Sequence, residues 1–208
     1  MLKYLSSTGG AYVKISLKSL ILALMVAVSL NARQFVPINI DKGEMFDDNT
    51  EDVMVALSEE NVGGGASTSL KITYPPNGGW AGFWMPKKSA WTGFSVVRFF
   101  AFNPADKKIK MAFVIKDKNH KGGISGRGKE GWDMRKTWAI IPFSLDPGMN
   151  EIKLSIEDLK TQEGRDVDFS RIFHWGFYYR FFPEHDWEEK DAKTFEFYLS
   201  KFRLTTEE

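Results

Sequence analysis

The chain has no cysteine among its 208 residues. That excludes disulfides, thiolate zinc sites, a cysteine nucleophile and a lipidated cysteine. Histidine is nearly as scarce: there are three, and none has a partner spaced for a metal site or a nucleophile–base pair. No Gly-x-Ser-x-Gly elbow occurs, and no two carboxylates are marked by spacing as the acid and nucleophile of a glycosidase. Amphipathic helices longer than two turns are missing. So is an excess of charge of one sign: the formal net charge is +1, which argues against nucleic-acid binding through a dense basic face. The longest apolar run, Leu20–Leu30, falls well short of the ~20 residues of a membrane span.

That short run reads instead as part of an export signal. Lys3, Lys14 and Lys18 precede it, no acidic residue occurs before Asp41, and the small Ala32 follows. A basic segment, a short apolar core and a small residue predict a secretory signal over residues 1–32, cleaved near Ala32; the alternative is an uncleaved N-terminal anchor. The signal holds three of the 28 Lys+Arg and none of the 27 Asp+Glu, so its removal leaves a net charge of −2. A secreted or periplasmic domain without disulfides depends on its core, and roughly 170 residues suffice for one. No stable membrane span remains after cleavage.

What the chain has in quantity is short alternating segments separated by turn residues. Residues 33–50 are polar, acidic and partly irregular, a linker or first-strand region. Strands are predicted over 52–58, 69–74, 82–85, 94–102, 109–116, 134–143, 151–156, 173–182 and 194–204. Pro75–Gly79, Asn103–Asp106 and Asp146–Gly148 are turn chemistry between them. The segment 91–117 reads as two long strands joined by a tight turn, and Ile156–Lys160 as one helical turn. The pattern predicts an all-β, two-sheet antiparallel sandwich or jelly roll of about eight or nine strands over residues 51–208, with little helix. Fourteen per cent aromatics suit a thick sheet-on-sheet core.

Several segments resemble, in order, the galactose-binding-domain-like jelly rolls, a group that includes many carbohydrate-binding modules. Trp91-Thr92-Gly93-Phe94, Val97–Pro104 and Ile115-Lys116-Asp117 are similar to the group's W-x-G-[YF], L-x-F-x-V-Y-N-P and I-K-D. Leu145–Ile152 is similar to L-x-P-G-x-N-x-I, Leu159 with Asp168–Ile172 to its dL and D-[FL]-S-x-I, and Phe195–Leu204 to its closing strand. The likeness spans about Asp52 to Leu204. It implies a jelly roll and, as partner, a polysaccharide or oligosaccharide. It also implies a structural calcium near the terminal strands, but Ser200 stands where the closing strand usually carries an acid. Asp41, Glu44, Asp47 and Asp48 either supply hard oxygen ligands or form a solvated acidic stretch. No other cofactor is implied.

The strand predicted over 173–182 is the most informative for function. With a period of two, Phe173, Trp175, Phe177, Tyr179 and Phe181 share a core face. The other face carries His174, Gly176, Tyr178, Arg180 and Phe182. Sugar recognition needs a flat ring for the C–H face and planar donors for hydroxyls, which makes Tyr178, Arg180 and His174 candidate ligand-binding residues. Glu196 is the candidate partner of Arg180 on an adjacent strand. Arg98 joins the site if its face adjoins Tyr178. Trp187, in a loop with five acids, either caps the sandwich or stacks on a ligand. The glycine-rich basic loop 116–130 either closes over an acidic ligand or is simply solvated. The expected function is a non-catalytic carbohydrate-binding domain. The alternatives are a polysaccharide-degrading enzyme of the same fold and a cell-surface adaptor that binds protein.

Overall fold

A computed structural model describes residues 33–50, 52–84, 86–119, 136–179 and 194–206. These residues hold eleven strands, in order: β1 (Gln34–Phe35), β2 (Asp48–Asn49), β3 (Met54–Ser58), β4 (Ser69–Tyr74), β5 (Gly79–Trp84), β6 (Val96–Asn103), β7 (Ile109–Asp117), β8 (Ala139–Leu145), β9 (Gly148–Ser155), β10 (Ile172–Tyr179) and β11 (Phe195–Thr205). The helix among the described residues is one 3-10 turn, Ile40–Lys42. Ile156–Lys160 is not helical; an isolated bridge joins Lys160 to Asp166 there.

All pairings among the described residues are antiparallel, in two sheets. The six-stranded sheet runs β3-β4-β11-β6-β9, with β1 on the outer part of β11; the five-stranded sheet runs β2-β5-β10-β7-β8. This is the predicted two-sheet sandwich. The strands at the centre of the sequence pattern are not a hairpin, however. β6 lies in one sheet and β7 in the other. Both strands must bury an apolar face, Val97, Phe99 and Ala101 on β6 and Met111, Phe113 and Ile115 on β7. Crossing between sheets lets these faces meet across the core, where pairing side by side would only extend one sheet. Asn103 builds the crossing: its side-chain amide donates to the carbonyls of Lys107 and Leu145, and its Oδ1 accepts from the Ala105 N–H. The links β4 to β5, β8 to β9 and β10 to β11 also change sheet, as a jelly roll requires.

The core is aromatic. Trp175 stacks on Phe202 from the facing sheet at 4.5 Å, and Phe177 meets Phe99 and Phe113, both at 5.3 Å. β11 changes phase partway along. Its core residues are Phe195, Phe197 and Leu199, then Phe202 and Leu204. A bulge between Ser200 and Arg203 causes the switch, and Lys201 within it has φ 51. β10 has a bulge as well, between Ile172 and His174. There Ile172 takes the core position, and Phe173, expected inside, is half-buried against Trp84 with ring centroids 4.5 Å apart.

Candidate functional site

The outer face of the five-stranded sheet holds most of the chemistry. Three cross-strand rows organise it. Trp84, His174 and Lys116 lie in register on β5, β10 and β7. Next come Asp48, Gly82, Gly176, Val114 and Ile140, on all five strands. Then come Trp80, Tyr178, Ala112 and Pro142. The middle row is small at its centre for a reason. A Cβ on Gly82 or Gly176 would sit 2.5 or 2.8 Å from the Trp80 ring and 2.3 Å from a backbone carbonyl of the opposite strand. The two glycines form a trough, and the Trp80 indole lies along it.

Trp80 is the hub of this face. Its ring centroid is 4.6 Å from that of Tyr178 and 4.3 Å from that of His174. Its indole N–H donates to Asp48 Oδ2 at 2.9 Å. The same oxygen lies 2.7 Å from His174 Nε2. That approach is too oblique for a well-aligned hydrogen bond, and Nδ1 has no hydrogen-bond partner among the described residues. Tyr178 also stacks near Trp138, at 6.1 Å and 23°. The Lys116 ammonium sits 3.8 Å from the Trp138 centroid and 5.4 Å from that of Trp80, a cation held between two ring faces. Trp80, Trp138, His174 and Lys116 are buried, while Tyr178 and Trp84 keep part of their rings in solvent.

Burial sets the protonation states. Desolvation pushes the His174 imidazole down to about 4, and the nearby Lys116 charge pushes the same way, against the opposing pull of Asp48. His174 is therefore neutral at neutral pH. Burial pushes the Asp48 carboxyl up, but His174, the Trp80 N–H and Lys116 together outweigh it and hold the carboxyl below its usual value. Among the described residues, the ring cluster thus covers the Asp48 carboxylate and the Lys116 ammonium.

Of the residues singled out in the sequence, the structure brings His174 and Tyr178 together here. Arg98 and Glu196 lie elsewhere. Both belong to the six-stranded sheet, on strands β6 and β11. Their side chains alternate with core residues and so face away from the five-stranded sheet. Arg98 donates to Thr205 Oγ1 at 3.0 Å. Glu196 pairs with Lys71 at 2.8 Å and accepts from the Tyr198 hydroxyl. Arg98 and Tyr178 share no groove floor, because β6 and β10 belong to opposite sheets. Arg180, Trp187 and most of the basic loop lie outside the described residues.

In the sequence Asp48 belongs to the acidic N-terminal stretch and Lys116 to the basic loop, while Trp80, Trp84 and Trp138, which flank turns or strand starts, read as packing rather than as a sugar platform; none is assigned there to this face. The alternation Trp80-Ala81-Gly82-Phe83-Trp84 was the available signal. A strand beginning at 82 hides it; one beginning at 79 puts both tryptophans outside.

The four N-terminal acids do not converge. Asp41 Oδ1 accepts from the Ser67 and Thr68 N–H groups and the Ser67 hydroxyl, and Oδ2 meets Lys201 Nζ at 2.6 Å. Glu44 accepts from the Asn39 N–H, and Asp47 from the Trp84 N–H. Asp48 belongs to the ring cluster. Among the described residues no three acidic or histidine side chains gather as a metal site. A hard cation that needs six to eight oxygens does not fit this arrangement.

No protein-family model and no curated protein sequence matches the chain. Solved structures do match. An agarase and an exo-β-agarase each align with a TM-score of 0.54 at 12% identity, over 84% and 82% of this chain but only 25% and 24% of theirs. A family 11 carbohydrate-binding module from Clostridium thermocellum, in complex with a β-1,3-1,4-mixed-linked tetrasaccharide, aligns over 98% of this chain and 95% of its own, at 13% identity and a TM-score of 0.45. The agarase alignments and the sheet topology define this chain as a β-jelly roll. At such identities the likeness is one of fold.

Proposed function

We propose that this domain is a secreted, non-catalytic module that binds polysaccharide through the outer face of its five-stranded sheet. One observation carries the reading: an aromatic layer of Tyr178, Trp80 and Trp84 on the side of a sheet that would ordinarily be polar, with Tyr178 half-exposed over a rigid support. A ring fixed in this way offers a flat surface to the C–H face of a sugar at little entropic cost. The Asp48 carboxylate beneath the rings is already occupied by the Trp80 indole N–H, which favours binding over acid–base catalysis. The two agarases are polysaccharide-degrading enzymes by name, so agarose is a natural first ligand, on fold analogy alone.

Affinity electrophoresis of the purified domain in gels containing agarose, mixed-linked β-glucan or xylan tests the reading. At least one polysaccharide is expected to retard the wild type and not Tyr178→Ala. Retardation by none, or equal retardation of both proteins, would sink it. Secretion is tested separately: N-terminal sequencing of exported protein is expected to begin near Arg33.

A further inference from the structure

We propose that Lys201 is a built-in cation: its ammonium, seated on the Asp41 carboxylate, fastens the N-terminal segment to the closing strand in place of the structural metal that the resemblance implies. The fold then needs no divalent ion.

The geometry of three segments supports this. Asp41 lies in the 3-10 turn that follows β1. One of its oxygens gathers Ser67 and Thr68, just before β4, and the other meets Lys201 on β11. One carboxylate therefore ties the segment between β1 and β2 to β11 and to the link between β3 and β4. A metal ion performs this kind of cross-linking through several oxygen ligands. Here the positive charge is covalent, and the remaining Asp41 lone pairs are filled by N–H and O–H donors. An ammonium 2.6 Å from the carboxylate also repels any divalent ion approaching the same group.

The neighbouring residue departs from a metal site in the same direction. Ser200, where related jelly rolls carry an acid, is 1% exposed, and its hydroxyl accepts from the Gly63 N–H at 3.0 Å. The bulge completes the device. The extra residue in β11 keeps Phe202 in the core and leaves Lys201 in the left-handed region with φ 51. A non-glycine residue persists there only where its surroundings hold it. Both side chains keep about a third or less of their surface exposed, 32% for Lys201 and 29% for Asp41, so salt screens the pair less than it screens a fully exposed one.

Thermal melts of the domain test the proposal. The wild-type Tm is expected to be the same in EDTA and in millimolar calcium. A fall in EDTA or a rise with calcium would overturn the proposal, whatever the variants do. Lys201→Met is expected to lower Tm by about 2–4 °C. Asp41→Asn, which keeps an oxygen for Ser67 and Thr68 but loses the charge, is expected to lower it comparably. The double variant is expected to lose little more than either, because each change breaks the same contact. Fully additive losses, or no loss in Lys201→Met, would show that the pair is not the clamp. None of these measurements involves a sugar, so failure here is distinguishable from failure of the binding reading.

Discussion

Trp80 and Tyr178 face each other directly across β5 and β10, their ring centroids 4.6 Å apart. One ring is buried and the other half-exposed, so the pair acts as a supported platform. Tyr178→Ala is expected to cost about 1–3 kcal/mol of binding to a retained polysaccharide, as truncation of an aromatic anchor does, and to leave Tm nearly unchanged. Trp175→Ala, on the opposite face of the same strand and fully buried against Phe202, is expected to cost about 3–5 kcal/mol of stability. Isothermal titration and urea unfolding of both variants check this. The reverse pattern would mean that the two faces of β10 have exchanged roles.

The glycine trough makes a second prediction. An added methyl at Gly176 would meet the Ala81 carbonyl at 2.3 Å and the Gly82 Cα at 2.5 Å as well as the Trp80 ring. Backbone cannot yield as a flexible side chain does. Gly176→Ala is expected to destabilise the domain by about 1–3 kcal/mol, as overpacking does, and to shift Trp80 fluorescence. Gly148→Ala is the spatial contrast: nothing lies within 4 Å of a Cβ there, and its φ of 85 supplies strain alone.

His174 gives stability a pH dependence. Its folded pKa of about 4 lies below the ordinary histidine value of 6.5, so between these values the unfolded chain binds a proton that the folded chain excludes. Stability therefore rises with pH through this window and is lost on acidification, by up to about 3 kcal/mol in all. The carboxylates act lower: Asp41, held at about 2 chiefly by Lys201, gives up its contribution only below the ordinary aspartate range. Urea unfolding across the acid range checks the assignment. His174→Gln is expected to remove the upper part of the slope and to keep the lower; an unchanged upper slope would assign it to another group.

Asp117 makes the fourth. It is 1% exposed and accepts two N–H groups of Arg165, at 2.7 and 3.1 Å, and the Asp168 N–H at 2.7 Å. Arg165→Met leaves this carboxylate with backbone donors alone. Because the Arg165 side chain is 31% exposed, the expected loss is about 1–3 kcal/mol rather than that of a fully buried pair. The midpoint of urea unfolding at neutral pH reads it.

Local periodicity and turn chemistry, which depend only on neighbours along the chain, made the sandwich legible in the sequence. β4 was marked to the residue by its alternation and by the glycines and prolines on either side. His174 and Tyr178 were placed on a common non-core face because a strand's period is two. What periodicity cannot carry is which sheet a strand joins. β6 and β7 look like a hairpin from their turn, yet the need to bury two apolar faces against each other sends them to opposite layers, and Arg98 goes with β6. Nor does periodicity register a bulge: a single extra residue reverses the phase of β11 after Leu199 and sets Lys201 on Asp41, and a second bulge, in β10, puts Ile172 rather than Phe173 in the core. The Asp48–Trp80–His174 contact joins residues far apart in the chain, with Trp80 32 positions after Asp48 and 94 before His174. It exists only because β2, β5 and β10 are neighbours in one sheet, where two facing glycines leave room for an indole.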